Sequence, residues 1–329
     1  MISFFPFQTM FLSTLFSGTL IALAAPSWFL AWLGLEVNLL SFIPLMTATA
    51  GRQETEGATK YFLSQATGST LILIGSTLPP LENTLIIVFG LLIKLGVPPG
   101  HFWFPSVMAS LPWTSCILLA TWQKVAPLSL MAFSCSLTTS AFLFIIAAGS
   151  SLLGGFMGMN QSQLRPLLAY SSIGHLGWMI MLSTVSPNAA ATYFVIYSTI
   201  SITIMLMLSL SSLNSLHSLS SPLNSSAPLK LLLTTLLLSL GGLPPLLGFM
   251  PKLLTLHVFA ASSLLIAALP LIFGSLINLF YYLSFSFALI LPTNTAQLTP
   301  RHAHTSPPLF LSILVTLSLG AGLLLPPFL

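Results

Sequence analysis

Two segments of the chain share an unusual pattern of glycine and proline, GVPPGHFWFP at residues 96–105 and GLPPLLGFMP at residues 242–251. Each reads Gly-x-Pro-Pro, then five residues with an aromatic residue in fourth place, then a further proline. Proline has no backbone N–H, and its ring clashes with the preceding helical turn. Each segment is therefore expected to interrupt the helix that contains it.

The composition around these segments is that of a membrane protein. Of the 329 residues, 55% are hydrophobic and only 4% are charged, whereas about a quarter of the residues in a soluble domain are charged. The net charge is +4, but the basic residues are spread singly along the chain. Such a distribution cannot follow a phosphate backbone, so we expect no nucleic-acid partner. The predicted class is an all-α protein embedded in the lipid bilayer.

A membrane-spanning helix needs about 20 predominantly apolar residues. This criterion predicts eleven spans, near residues 3–24, 27–47, 59–79, 83–104, 111–134, 137–158, 163–183, 189–213, 228–257, 262–291 and 307–327. The connections are short and contain turn residues, so we expect no soluble domain. The first apolar stretch lacks a basic n-region, so we expect no cleavable signal peptide.

The two proline-containing segments fall in the fourth and ninth predicted spans. Because five crossings separate them, they traverse the membrane in opposite directions. We therefore predict an inverted repeat of two five-helix halves, residues 1–134 and 137–291, followed by an extra C-terminal helix at 307–329. Broken helices at corresponding positions of two repeats are a sequence indication of a transport site.

The loop charges predict an orientation. On this topology, five basic residues lie on the side of the N-terminus, and only Glu82 lies on the opposite side. The five are Arg52, Lys60, Arg165, Lys230 and Arg301. Since cationic loops stay on the side from which helices are inserted, the N-terminus is expected in the cytoplasm or matrix.

Apart from the basic residues at span ends, four charged residues lie well inside the predicted spans, namely Glu36, Lys94, Lys124 and Lys252. Each costs roughly 2.5–3.5 kcal/mol near the bilayer centre on insertion scales, so such residues usually serve a function. Simpler interpretations are snorkelling of Lys94 and Lys124 towards the interface, a structural role for Lys252, and neutralisation of a lysine by Glu36. Pairing and transport are compatible, since a buried carboxylate–ammonium pair is also a titratable switch.

Two further features bear on proton transfer. Pro127 cannot donate to the Gln123 carbonyl, which leaves an acceptor beside Lys124. His175 lies with Tyr170, Ser171 and Ser172 in one span, where it could relay protons or simply pack. We expect no metal site: His302 and His304 lie in a polar loop. Cys116 and Cys135 are interpreted as small buried hydrophobic residues.

Six groups of residues, which include parts of the two proline-containing segments, carry a resemblance to a known family. They are ETEGATKYFLSQA (54–66), KLG with HFW (94–96 and 101–103), WQK (122–124), NQSQLR (160–165), LAYSSIGHLGWM (168–179) and GGLPP through Lys252 (241–252). In this order, over about three quarters of the chain, they resemble subunit 2 of respiratory complex I, the NADH:ubiquinone oxidoreductase, in its eleven-helix, mitochondrially encoded animal form.

The resemblance implies an antiporter-like core subunit of a proton-translocating NADH:ubiquinone reductase in the mitochondrial inner membrane, with its N-terminus in the matrix and its C-terminus in the intermembrane space. Glu36 and Lys94 would form an interacting pair, Lys124 would be the central lysine, and Lys252 would lie towards the exit, with His175 on the path. FMN, iron–sulfur clusters and ubiquinone are expected in other subunits, so this chain should bind no cofactor. Its partners would be other membrane-arm subunits, including neighbouring antiporter-like subunits.

Two alternatives stay open at this stage. A related cation/proton antiporter subunit without a redox partner would have similar transport chemistry and the same inverted repeat. A structural membrane scaffold would keep the buried lysines without using them.

Overall fold

The computed structural model describes residues 6–48, 51–134, 137–211 and 227–290. This part of the chain consists of α-helices joined by short connections, with no β-strand, which confirms the predicted all-α class. The helices are α1 (Pro6–Ala24), α2 (Trp28–Met46), α3 (Arg52–Thr77), α4 (Pro80–Leu95), α5 (Trp103–Ser110), α6 (Trp113–Ala120), α7 (Trp122–Phe133), α8 (Leu137–Met159), α9 (Leu164–Val185), α10 (Pro187–Ser211), α11 (Ala227–Gly241), α12 (Met250–Ala261) and α13 (Leu265–Ile290).

Within the described residues, six helical stretches are long and apolar enough to cross a membrane: Phe7–Ala24, Trp28–Met46, Trp113–Phe133, Thr139–Met159, Pro187–Ser209 and Leu265–Ile290. Three further apolar helices are shorter: Thr84–Leu95, Lys230–Gly241 and Leu247–Ala261. All three end or begin at one of the two proline-containing segments. The predicted eleventh span, together with Cys135, Arg301, His302 and His304, lies outside the described residues.

The helix breaks predicted at the two proline-containing segments are confirmed. In the fourth span, residues 83–104, α4 ends at Leu95 and helix resumes at Trp103. In the ninth span, residues 228–257, α11 and α12 are separate helices, with a short 3₁₀ helix at Leu247–Phe249 between them. The fifth span, residues 111–134, needs correction, because it is divided into α6 and α7 at Thr121, where no glycine or proline signals a break.

The chain divides into two compact units, residues 1–146 and 147–329, with the boundary inside α8. In the first unit, glycines allow neighbouring helices to approach closely. A Cβ atom on Gly34 of α2 would lie 2.5 Å from the Ala22 backbone nitrogen of α1. A Cβ atom on Gly90 of α4 would lie 2.7 Å from the Gly68 carbonyl oxygen of α3. Such small-residue contacts are typical of helix packing in membranes, where van der Waals contact drives association.

In the second unit, α9 is the most enclosed helix, with 18 of its 22 residues buried. It packs against α10, α12 and α13. A Cβ atom on Gly154 of α8 would lie 2.7 Å from both the Gly174 nitrogen and the Tyr170 oxygen, so α8 also approaches α9 closely. Enclosure of α9 places its polar residues, including His175, inside protein rather than against lipid.

The outer surface of both units is apolar, as a bilayer requires. Large side chains that are more than half exposed include Leu20, Ile145, Phe273 and Phe280. Charge is concentrated at a helix end: α3 begins with exposed polar turns, in which the Lys60 Nζ donates to Glu56 Oε1 at 2.6 Å. This hydrogen bond lowers the pKa of the Glu56 carboxyl group.

We expect Gly34→Ala to destabilise the protein, because the new methyl group would collide with the Ala22 nitrogen and, at 2.8 Å, with the Gly18 oxygen. Overpacking of this kind costs about 1–3 kcal/mol, so the thermal unfolding midpoint of the detergent-solubilised protein should fall. Gly149→Ala is the matched control, since its Cβ atom would meet no atom within 4 Å. Equal midpoints for the two variants would contradict the close α1–α2 contact.

Candidate functional site

The first break begins where α4 ends, at Gly96. Its φ of 72° lies in the left-handed region, which favours glycine. The Gly96 amide donates to the carbonyls of Leu92 and Ile93, and the Val97 amide donates to the Leu92 carbonyl at 3.1 Å. This arrangement is a Schellman-type helix end, in which the amides just after the helix donate to carbonyls of its last turn that would otherwise lack a donor.

Two side chains satisfy further carbonyls at this helix end. Gln65 of α3 donates from Nε2 to the Lys94 oxygen at 3.1 Å. Trp103, at the start of α5, donates from Nε1 to the Ile93 oxygen at 3.0 Å. The Lys94 side chain is buried, with 6% exposure. The carbonyls of Ile93 and Lys94 thus receive hydrogen bonds from protein side chains, as non-helical backbone inside a membrane requires.

Lys124 lies beside a second interruption, which the sequence did not predict. Thr121 leaves regular helix geometry, with φ −115° and ψ −75°, and its hydroxyl donates to the Ile117 oxygen at 2.6 Å. Lys124 is 2% exposed, and its Nζ lies 4.7 Å from the centre of the Phe104 ring. This is a cation–π distance, and in a site with little water such contacts are at their strongest.

Lys94 and Lys124 line the same small cavity, although 30 positions separate them in the sequence. Its space for the centres of water molecules is about 20 Å³, and one water needs about 10–15 Å³ on this measure. Three side-chain amides and a phenol line the same cavity: Asn38, Gln65, Gln123 and Tyr61. A cavity with polar walls and room for water is a place where an ammonium group can exchange a proton.

The amide residues of this cavity were missed by the sequence analysis. Gln123 donates from Nε2 to Asn38 Oδ1 at 3.0 Å, which joins α7 to α2. Their position inside apolar spans could have identified them, because a buried side-chain amide nearly always has a hydrogen-bond partner in the folded protein. Gln123 stands directly before Lys124, and Gln65 lies in one of the segments that carry the family resemblance.

Glu36 lies on α2, next to the cavity-lining residue Leu35. Its carboxylate interacts electrostatically with Lys94 and Tyr61. It forms no ion pair with Lys94 within 4.0 Å; among the described residues, that distance is met only by Lys60 and Glu56. Glu36 Oε2 is buried and accepts no hydrogen bond from the described residues. The predicted pair therefore interacts through space, with neither side chain bound to the other.

The second break repeats the backbone pattern of the first. Gly242 has a φ of 82°, its amide donates to Leu238 and Ser239, and the Leu243 amide donates to the Leu238 carbonyl. Lys252, buried near the start of α12, donates from Nζ to the Gly241 oxygen at 2.8 Å. The ammonium group thus binds the C-terminal end of α11, where the helix dipole places partial negative charge.

His175 lies at 5% exposure on α9, with its Nδ1 atom 3.0 Å from the Tyr193 hydroxyl of α10. Its ring centre is 5.1 Å from that of Tyr197, which interacts with the hydroxyls of Ser172 and Ser201. The sequence analysis did not connect Tyr193 and Tyr197 with His175, because the two tyrosines lie on a different helix. The imidazole–phenol contact gives His175 a proton-exchanging neighbour, although it would equally hold a packed histidine in place.

Among the described residues, no group of three or more His, Cys, Asp or Glu side chains is arranged so that it could hold a metal ion. Cys116 is buried, and its thiol lies 3.6 Å from the carbonyl oxygens of Met108 and Leu111. This placement agrees with its interpretation as a small buried side chain.

Comparison with known proteins identifies the family. The family model described as NADH:quinone oxidoreductase/Mrp antiporter, TM, matches residues 25–78 and 80–278. NADH-ubiquinone oxidoreductase chain 2 of Lumbricus terrestris is 44% identical over 85% of each chain, and that of Papio hamadryas is 38% identical over 97% of this chain and 96% of its own. The chain belongs to the NADH-ubiquinone oxidoreductase chain 2 family. The resemblance found in the sequence is thereby confirmed.

Solved structures share the fold of this chain 2 family member. Respiratory complex I from Thermus thermophilus with bound aureothin contains a chain that matches with a TM-score of 0.83 and 26% identity, covering 100% of this chain and 80% of that one. A chain of the Mrp complex from Dietzia sp. DQ12-45-1b matches with a TM-score of 0.75, 17% identity and coverage of 86% and 61%. The second likeness concerns the fold alone.

We expect Gly242→Ala to destabilise the second break. A Cβ atom there would lie 2.5 Å from Lys252 Nζ, and a side chain in the left-handed region costs roughly 1–2 kcal/mol before any clash. The neighbouring Gly241→Ala is the matched control, because its nearest new contact would be an ordinary 3.6 Å. Thermal unfolding of the two variants compares them directly, and a lower midpoint for Gly241→Ala would contradict this geometry.

Proposed function

We propose that the chain translocates protons across the mitochondrial inner membrane as an antiporter-like subunit of respiratory complex I, coupled to electron transfer from NADH to ubiquinone. Membership of the chain 2 family and the shared fold with a complex I chain support the assignment to this enzyme. The observation that carries the transport role is the polar cavity whose wall contains both Lys94 and Lys124.

In this proposal, Lys94 and Lys124 exchange a proton through water in the cavity. Glu36 acts at a distance: its carboxylate interacts electrostatically with Lys94 without forming an ion pair with it. The Phe104 ring lies 4.7 Å from Lys124 Nζ, at a distance suited to contact with an ammonium group. The proton would therefore move in response to charge, without covalent chemistry.

The second unit would supply later proton carriers. His175 shares a 3.0 Å contact with the Tyr193 hydroxyl, and Lys252 is held at the end of α11. We assign Lys252 to the exit side and His175 to the path before it, as the family resemblance implies. The inverted repeat of residues 1–134 and 137–291 stays a prediction and belongs to this proposal.

The redox chemistry is assigned to other subunits. We propose that this chain takes part in NADH:ubiquinone reduction as its proton translocase component, and that it binds no FMN, iron–sulfur cluster or ubiquinone. Its proposed partners are the other membrane-arm subunits, including neighbouring antiporter-like ones. The proposed orientation places the N-terminus in the matrix and the C-terminus in the intermembrane space, on the basis of the loop charges.

Replacement of Lys124 by methionine should abolish most proton translocation while the complex still assembles. Methionine keeps the length and apolar packing of the lysine stem but cannot carry a proton, so we expect pumping to fall by about tenfold or more. It would be measured as acidification per NADH oxidised in vesicles that contain the variant complex. Lys60→Met is the control, because Lys60 is an exposed lysine in a surface ion pair, which contributes little.

Normal pumping by an assembled Lys124→Met complex would favour the structural scaffold over the transporter. The stand-alone antiporter is the second candidate, favoured by the fold shared with the Mrp complex. Native electrophoresis of solubilised inner membranes separates it from the complex I subunit. Migration of the chain with NADH-oxidising activity supports complex I, and migration without that activity supports the antiporter.

The orientation predicts the side from which Lys60 reacts. Lys60 is 48% exposed at the polar end of α3, so a membrane-impermeant amine reagent should label it in inverted inner-membrane vesicles and not in intact mitoplasts. Buried Lys252 should stay unlabelled in both preparations and serves as the internal control. Labelling of Lys60 in mitoplasts alone would reverse the proposed orientation.

A further inference from the structure

The two helix breaks share the same helix-end geometry, at Gly96 and at Gly242, but satisfy their carbonyl groups differently. At the second break, the Lys252 ammonium itself donates to the Gly241 carbonyl. At the first break, the equivalent task falls to neutral donors: Gln65 binds the Lys94 carbonyl and Trp103 binds the Ile93 carbonyl. The first helix end is thus closed without an ammonium group.

The sequence pattern of the breaks accounts for part of this difference. The aromatic residue in fourth place after the Pro-Pro pair is Trp103 in the first segment and Phe249 in the second. An indole has an N–H donor, whereas a phenyl ring has none. The second break therefore lacks the donor that Trp103 supplies to the first.

Lys94 stands in the last turn of α4, the position from which a lysine commonly hydrogen-bonds the final carbonyls of its own helix. Here its side chain lines the cavity, and its ammonium donates no hydrogen bond to the described residues. Tyr61 of α3 and Lys124 of α7 line the same cavity, and Glu36 of α2 interacts with Lys94 electrostatically. An ammonium group bound to backbone would be withdrawn from these partners.

The position of Gln65 is fixed by close packing of α3 against α4. Gln65 is 6% exposed. One turn further along α3, a Cβ atom on Gly68 would lie 3.0 Å from both the Gly90 oxygen and Lys94 Cγ. This close contact between α3 and α4 places the Gln65 amide beside the end of α4, where it donates to the Lys94 carbonyl.

We propose that Gln65, assisted by Trp103, is a positioning residue that occupies the backbone acceptors at the end of α4 and so keeps the Lys94 ammonium turned into the cavity for proton exchange. This inference rests on the proposed function of Lys94. In this role Gln65 orients the side chain of Lys94, which carries the proton, and does not carry a proton itself.

The test is Gln65→Met, which keeps the length and volume of the side chain and removes its N–H donor. In the assembled complex we expect pumping to fall roughly 5- to 10-fold, the rate equivalent of about one lost hydrogen bond. A cryo-EM structure of the variant should show Lys94 Nζ within hydrogen-bond distance of a carbonyl at the end of α4, outside the cavity. Trp103→Phe keeps an aromatic ring, removes the second donor, and should shift pumping in the same direction.

Ser69→Ala is the matched control, since Ser69 is a buried polar residue one turn from Gln65 whose hydroxyl donates to the Ala66 oxygen of its own helix. It should pump normally. Normal pumping by Gln65→Met, or slow pumping with the Lys94 ammonium still in the cavity, would overturn the positioning role. Lys94→Met separates the two claims: if it pumps normally, the proposed function of Lys94 fails; if it does not pump while Gln65→Met does, only the positioning role fails.

Discussion

The structure depends on one constraint: a backbone carbonyl released inside the membrane has to find a donor, because lipid offers none. Each proline segment ends a helix at a glycine with positive φ, at Gly96 and at Gly242. The donors that close these helix ends are the side chains of Gln65, Trp103 and Lys252. Polar residues are therefore gathered at the breaks because the breaks require them, and the lysines share that environment.

The same constraint explains where water can be held. In an apolar bundle, a cavity stays dry unless polar groups line it. The first unit brings amides from three helices, Asn38, Gln65 and Gln123, to the place where its two buried lysines lie. Gln65 and Trp103, which donate to the carbonyls at the end of α4, thus also line the cavity.

Much of the fold could be predicted from the sequence, because apolar length and proline position are local signals. The ionisable residues Lys94, Lys124 and Lys252 stood out for the same reason, since a charge inside an apolar span is visible without a structure. The contacts of Gln65 with Lys94 and of Gln123 with Asn38 were not visible, because they join residues 29 and 85 positions apart. The interruption at Thr121 also escaped prediction, as neither glycine nor proline marks it.

Trp103 and Phe104 are neighbours in the chain, yet they serve different lysines. The indole of Trp103 holds the end of the helix that carries Lys94, and the ring of Phe104 faces the ammonium of Lys124. One peptide bond connects these two contacts. A shift of the backbone in this short segment would therefore change the surroundings of both lysines at once, because the two contacts share one piece of chain.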